Sequence, residues 1–218
     1  MKKVIGIGAG GHARVVIDIL QQTGGCEIVG LLERDPQLWN SLVLGVLVIG
    51  NDSLLAELHD GGISRAFVGI GSSGNTRPRR EAFEMLRRIG LHSVSAIHPA
   101  AVVSPHASLG IGVTVMARAV INPGAVLGDN VVINTGAIVE HDCVLEDHVY
   151  IATAASLSGS VFVGEGSHIG NGATVKQGVR IGRGAIVGAG AAVIRDVPDG
   201  ETVVGVPAKP IRTAVAHG

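Results

Sequence analysis

Aromatic residues are nearly missing from this chain of 218 residues, which has one Trp, one Tyr and three Phe. A globular core of ordinary composition is built around larger rings, so their scarcity points instead to narrow layers of small aliphatic side chains. Cysteine is also scarce. Cys26 and Cys143 lie far apart in sequence, which excludes a disulfide framework and fits a reducing compartment. Neither sign of charge is in surplus, the formal net charge being −1, and no basic run stands out, so nucleic acid is not an expected partner. No apolar run reaches the length of a membrane-spanning helix. The opening residues carry two lysines and then apolar side chains, as a signal peptide does, but Gly8, Gly10, Gly11, His12 and Arg14 interrupt the run. A soluble, cytoplasmic protein without a membrane partner is expected.

What the chain has in abundance is glycine, 33 residues of it, and a rhythm. From Ile97, every sixth residue through Val193 is Ile, Leu or Val, seventeen positions without a break in phase. Four residues after each of these stands Ala, Val, Ser or Cys, from Ala101 through Cys143 to Val197. A helix repeats near 3.6 and a strand pair near 2, so a period of six suits neither. It suits a triangular coil of three hexads, with a short strand on each side and a turn at each corner. The aliphatic residue fills the interior, and the small one lets the chain turn. Gly and Asn near the corners supply backbone conformations that other residues resist. Such coils cannot bury their own apolar faces and must stack.

Residues 1–96 read differently. Short apolar strands at Val4–Gly8, Glu27–Leu32, Leu47–Gly50 and Ala66–Ile70 alternate with helical stretches at Ala13–Gln22, Ser53–His59 and Arg79–Ile89, which predicts a small parallel α/β sheet. Its first turn, Gly8-Ala9-Gly10-Gly11-His12, stands where such sheets bind phosphate through free amides at a helix start. Ala13 occupies the last position of the usual glycine signature. The expected organisation is therefore a Rossmann-like domain over 1–96, followed by a parallel β-helix with its tail over 97–218.

Several segments together resemble one family. These are the Gly-Ala-Gly-Gly-His turn, Ile97-His98-Pro99 at the junction, Asn134-Thr135-Gly136 and Glu140-His141-Asp142-Cys143 in the repeat, and the tail Gly205-Val206-Pro207-Ala208-Lys209. The chain is similar to bacterial sugar acetyltransferases of the sialic-acid O-acetyltransferase and nucleotide-amino-sugar N-acetyltransferase type, the perosamine N-acetyltransferases among them. That resemblance implies a left-handed coil, and a homotrimer with acetyl-CoA lying between neighbouring subunits. It also implies a nucleotide-sugar held by the first domain, transfer of acetyl to its 4-amino group, and a place in lipopolysaccharide or O-antigen biosynthesis. No metal is expected.

His141 is the expected general base, because an amine attacking a thioester must lose a proton and imidazole titrates near neutral pH. By resemblance Asp142 holds its tautomer. Eighteen residues on, Gly159 should stack on His141, where its amide is a candidate for the thioester oxygen. Many relatives carry a second His nine residues after the base. Here Tyr150 holds that position and is a candidate to contact the acetyl group, while His148 should project differently. Cys143, at an interior position, is read as core and not as nucleophile. Candidate CoA contacts are Gly188, Lys176, Arg180, Arg183 and Lys209. Gly8, Gly10, Gly11 and His12 would cradle the nucleotide diphosphate, with Arg77 as a further phosphate candidate. Glu33 or Asp35 would meet the base, and a carboxylate suits the adjacent donors of guanine. O-acetylation of a sugar is the alternative within the same chemistry. An NAD-linked oxidoreductase leaves the hexads unexplained, and an ice-binding β-helix requires a flat Thr array that is absent.

Overall fold

The computed structural model describes residues 1–211. In the first domain β1 (Lys2–Ile7), β2 (Cys26–Leu32), β4 (Val46–Gly50), β5 (Arg65–Val68) and β6 (His92–Ser93) run parallel, and the short β3 (Leu42–Val43) pairs antiparallel with β4. The order is β3-β4-β2-β1-β5-β6, so the chain leaves β1 toward one side to form β2 and returns to its other side with β5. Helices α1 (Gly11–Thr23), α2 (Leu55–Asp60) and α3 (Arg77–Ile89) complete the layers, giving a Rossmann-like domain. The β3–β4 turn was not foreseen. It puts Leu44 and Gly45 both at positive φ, a conformation hairpins favour but for which Leu gives no signal.

From Ala96–Ile97 onward every strand is two residues long until the tail, and through Thr174–Val175 each pairs with the strand eighteen residues later. The result is a left-handed parallel β-helix with three walls. The first wall starts at Ala96–Ile97, the second at Val102–Val103 and the third at Ser108–Leu109. The interior is the hexad column of Ile, Leu and Val alternating with the small column, including Ala119, Ala137, Cys143 and Ala155, all fully buried. The corners obey the same period. Every sixth residue from Gly112 to Gly190 has positive φ. Eight are Gly, and the others are Arg118, Asn130, Asp142, His148, Ala154 and Ser160. Glycine adopts that region freely, and Asn and Asp tolerate it best among the rest.

The two domains are packed against each other. Val16 and Leu20 of α1 join Met116, Val132 and Tyr150 of the first wall in one apolar cluster. Helix α3 lies on the corner between third and first walls, where Phe83 meets the His148 ring edge-on at 5.6 Å and the Thr76 hydroxyl donates to Gly166 O at 2.7 Å. Ser72 and His168 Nδ1 are hydrogen-bonded at 3.1 Å, which fixes the loop before α3 to the first wall.

At the centre of this junction Arg79, only 2% exposed, has no carboxylate partner among the described residues. Its guanidinium donates to Val68 O at 2.9 Å and Ile70 O at 3.0 Å. Longer contacts, at 3.4 Å, reach Asn130 O, Gly112 O and Thr114 Oγ1 on the β-helix. Burial lowers its pKa to about 10, so it stays charged at neutral pH. The charge is held by carbonyl dipoles from both domains.

Three imidazoles line the same junction. Burial, and then the Arg79 charge, hold His12 down to about 3. Burial also lowers His148, with Arg80 adding to it, and lowers His168. Each folded-state pKa lies below the unfolded value of about 6.5, so stability is present above that pH. It is lost as the unfolded chain takes up protons that the folded one refuses, for His12 over the window from about 6.5 down to about 3. Between pH 7.5 and pH 5 the urea midpoint is expected to fall, with about 2 kcal/mol of the loss from His12. A midpoint unchanged across that range would contradict neutral imidazoles at the junction.

Candidate active site and nucleotide cavity

The return of the chain across β1 leaves a crevice at the carboxyl ends of β1, β2 and β5, the place where open α/β sheets bind ligands. There a cavity of about 340 Å³ is lined on one side by Gly8, Gly10, Gly11, His12, Glu33 and Arg34. Asp52, Gly69, Ile70, Gly71 and Pro78 face them. Gly8 has φ +96, and a Cβ there would press on Ile70, so the tight turn requires glycine. Gly10 is the N-cap of α1 and supplies no side-chain cap, which leaves the first helical amides free to meet an anion.

Glu33 lines this cavity, and its carboxylate is also the brace of the turn. Oε2 accepts from Ala9 N at 2.8 Å, and Oε1 accepts from Arg34 N at 2.8 Å and Asp35 N at 3.2 Å. Two expected nucleotide residues are not among the lining residues. Asp35 caps the short turn Pro36–Leu38 by accepting from Gln37 N, and Arg77 is paired with Glu81 on the exposed face of α3 at 2.7 Å. In their place stand Arg34, paired with Asp52 at 3.0 Å, and Gly71, neither of which carried a motif signal.

His141 and Asp142 occupy the corner between second and third walls, opposite the first wall and the cavity domain. Asp142 is the left-handed residue of its hexad, with φ 59. That conformation turns its carboxylate back onto its neighbour, and Oδ2 lies 2.8 Å from His141 Nδ1. An ionised carboxylate there takes the Nδ1 proton as its hydrogen-bond donor and leaves Nε2 as the basic nitrogen. Both side chains are open to solvent, 54% and 65% exposed, so nothing within one chain covers the pair.

Gly159 stacks on this pair from one coil further on, and a Cβ there would stand 2.5 Å from His141 Nε2. Gly124, one coil before, lies under Asp142, and a Cβ on it would collide with Oδ1. The pair is therefore bounded along the edge by two glycines. The N–H of Gly159 has no partner among the described residues.

Tyr150 lies elsewhere. It belongs to the first wall, buried against the cavity domain, stacked on His168 at 5.2 Å, and its hydroxyl accepts from Asn134 Nδ2 at 3.0 Å. One chain does not bring it to His141. Among the CoA candidates, Lys176 shares the edge of His141, two coils further on, about 10 Å away at the spacing of paired strands. Arg183 is bound to Glu146 at 3.1 Å near the opposite corner of the third wall. Arg180 lies over the Phe162 ring at 3.9 Å, and Lys209 is in the tail strand Lys209–Pro210. Gly188 packs under Val204 of the tail, where a Cβ would intrude at 2.6 Å. Cys143 is buried with its thiol donating to Ser158 O at 3.2 Å, and burial pushes the thiol pKa up, as a core residue requires.

A Rossmann-like cavity domain fused to a triangular coil that carries a His–Asp pair on its bare edge defines a hexapeptide-repeat acyltransferase. Residues 3–86 match the PglD N-terminal domain, and residues 160–195 match the bacterial transferase hexapeptide of six repeats. Among curated proteins, none matches. Solved structures do. A histidine-to-asparagine mutant of perosamine N-acetyltransferase from Caulobacter crescentus, in complex with CoA and GDP-perosamine, is 44% identical; the alignment covers 96% of this chain and 97% of that one, with a TM-score of 0.90. The acetyltransferase domain of PglB from Neisseria gonorrhoeae, in complex with acetyl coenzyme A, is 40% identical over 96% and 99%, with a TM-score of 0.88. WeeI from Acinetobacter baumannii is 25% identical over 96% and 100%, with a TM-score of 0.77. This chain belongs to the hexapeptide-repeat acetyltransferase family that includes perosamine N-acetyltransferase and the PglB acetyltransferase domain.

Among the described residues no group of His, Cys, Asp or Glu is arranged to hold a metal ion, and no helix is long and apolar enough to cross a membrane. Because Glu33 braces three amides, Glu33→Ala is expected to lower stability by about 1–2 kcal/mol, read from the denaturant midpoint. Unchanged stability in that variant would free the carboxylate from its bracing role.

Proposed function

We propose that this enzyme transfers acetyl from acetyl-CoA to the 4-amino group of a nucleotide-linked dideoxy amino sugar, GDP-perosamine or a related sugar nucleotide. The observation that carries this reading is the His141–Asp142 pair set against the bare edge of Gly159, in a chain alike from end to end to an enzyme solved with CoA and GDP-perosamine.

The chemistry follows from the geometry. The neutral amine attacks the thioester carbonyl carbon, the carbon–nitrogen bond forms, and His141 Nε2 takes the proton released by nitrogen. Asp142 keeps the imidazole in the productive tautomer and stabilises the imidazolium. Negative charge develops on the carbonyl oxygen, and the free N–H of Gly159 is the nearest donor the edge supplies. Collapse breaks the carbon–sulfur bond, and the imidazolium proton accompanies the departing thiolate, leaving an N-acetylated sugar and CoA. The buried Cys143 thiol has no part in it, so transfer is direct.

The nucleotide end of the acceptor is assigned to the cavity at Gly8–His12, with Glu33 at its rim. The cavity and the catalytic pair lie on opposite sides of one chain, so the sugar held by one subunit must meet His141 of another. This supports a homotrimer with active sites at subunit boundaries, and it gives the basic residues of the later coils a route to a neighbour's His141. Lys176, on the same edge, is the assigned phosphate contact within the chain.

His141→Asn is expected to lose at least 100-fold in kcat while CoA affinity stays within about 3-fold. Gly159→Ala places a methyl against Nε2 and is expected to cost a similar factor, with the thermal midpoint little changed. Near-normal turnover in either variant would remove the edge from the reaction. Acetylation of sugar hydroxyls in place of the amine would reassign the acceptor.

A further inference from the structure

The buried Arg79 does more than join the domains. Its Nη1, whose two N–H groups also donate to Val68 O at 2.9 Å and Ile70 O at 3.0 Å, lies 3.2 Å from His12 Nε2, so one N–H is shared between a carbonyl and the ring nitrogen. A guanidinium carries only donors and does not lose its proton here, so Nε2 must be the acceptor. The single ring proton of the neutral imidazole is then forced onto Nδ1. That edge of the ring lies along Gly71, where a Cβ would stand 3.2 Å from the His12 Cβ, 3.4 Å from Cγ and 3.5 Å from Nδ1. His12 and Gly71 both line the nucleotide cavity, and Nδ1 has no partner among the described residues.

We propose that Arg79 is a positioning residue for nucleotide binding: it locks His12 in the Nδ1–H tautomer, so that a neutral, pre-aimed donor faces the diphosphate held at the glycine turn. The proposal rests on the reading of that cavity as the nucleotide site. It explains why a cation without a carboxylate partner is kept at the domain junction. It also explains why His12, rather than a Lys, follows the glycines: a second full charge beside Arg79 would be repelled, whereas a neutral donor is not. The groups facing the ring are Arg79 on one side and the Tyr150 ring, 6.3 Å away, on the other, with Glu33, Arg34 and Asp52 across the cavity. Burial and the Arg79 charge both oppose protonation, so the donor persists through the physiological range.

Two substitutions separate the two ring nitrogens, because an Asn amide nitrogen falls near Nδ1 and a Gln amide falls near Nε2. His12→Asn retains a donor toward the cavity. His12→Gln retains the acceptor for Arg79 and loses that donor. Titration of the full-length protein with GDP, and separately with UDP, is expected to show His12→Asn within about 3-fold of wild type. His12→Gln should be weakened about 10- to 100-fold, the worth of one hydrogen bond to a charged group. KM for the nucleotide-sugar should rise in the Gln variant while kcat and KM for acetyl-CoA hold. Nitrogen-15 NMR of the histidine rings should show wild-type His12 neutral and protonated on Nδ1 from pH 5.5 to 8. Arg79→Lys should shift that signal toward the Nε2–H form. The wild-type spectrum and the two His12 variants decide the matter even if Arg79→Lys does not fold. A wild-type His12 protonated on Nε2, or a Gln variant that binds nucleotide like wild type, overturns the proposal and leaves the nucleotide reading intact. Failure of both GDP and UDP to bind wild type would overturn the nucleotide reading, and the proposal with it.

Discussion

The left-handed backbone conformation required once in every six residues is the constraint on which the rest depends. From Gly112 to Gly190 the chain turns each corner of the triangle through a residue of positive φ, a conformation that L-residues resist. Where glycine meets the demand, the corner is structurally silent. At three of the six corners where another residue meets it, the side chain is put to use. Asn130 and His148 face α3 and the domain junction, and Asp142 turns its carboxylate onto His141. The same local strain that shapes the prism therefore aims the Asp142 carboxylate at the imidazole.

Because the coils stack in register, a side chain on one edge is bounded by the residues eighteen before and eighteen after it. At the second corner those are glycines placed under Asp142 and over His141. The dyad needs no loop to hold it and no pocket within its own chain. Rigid strands fix its base, and open space lies along its face. The cavity domain is fixed differently, through α1 on the first wall and α3 on the neighbouring corner, with the Arg79 guanidinium shared between carbonyls of both domains. The Arg79 guanidinium, held by carbonyls on both sides, thus helps set the distance between the glycine turn and the prism.

Much of this was legible in the residues. The unbroken hexads give the prism, and simple addition puts Gly159 over His141. The alternation of strands and helices gives the first domain, with α3 beginning two residues before the expected start at Arg79. What escaped notice did so for physical reasons. Arg79 stands in the run Arg77-Pro78-Arg79-Arg80, which reads as a solvated helix face, and only packing reveals that one of the three arginines points inward. Tyr150 follows His141 by nine residues, which is half a coil and carries its side chain to the opposite wall. Glu33 and Asp35 are acidic residues after a strand, as a base-reading carboxylate would be. Nothing in their spacing says that one braces the glycine turn and the other caps the next.

A prism wound in eighteen-residue steps can grow or shrink only by whole coils if its walls are to stay in phase. The middle coils are pinned from both sides, by α3 along the column from Gly112 to Gly166 and by the dyad between Gly124 and Gly159. Coils added beyond the Ser72–His168 contact would leave both of these attachments in place. The height of the tower above that level is then a dimension that descent with modification can alter without moving the first domain or the dyad.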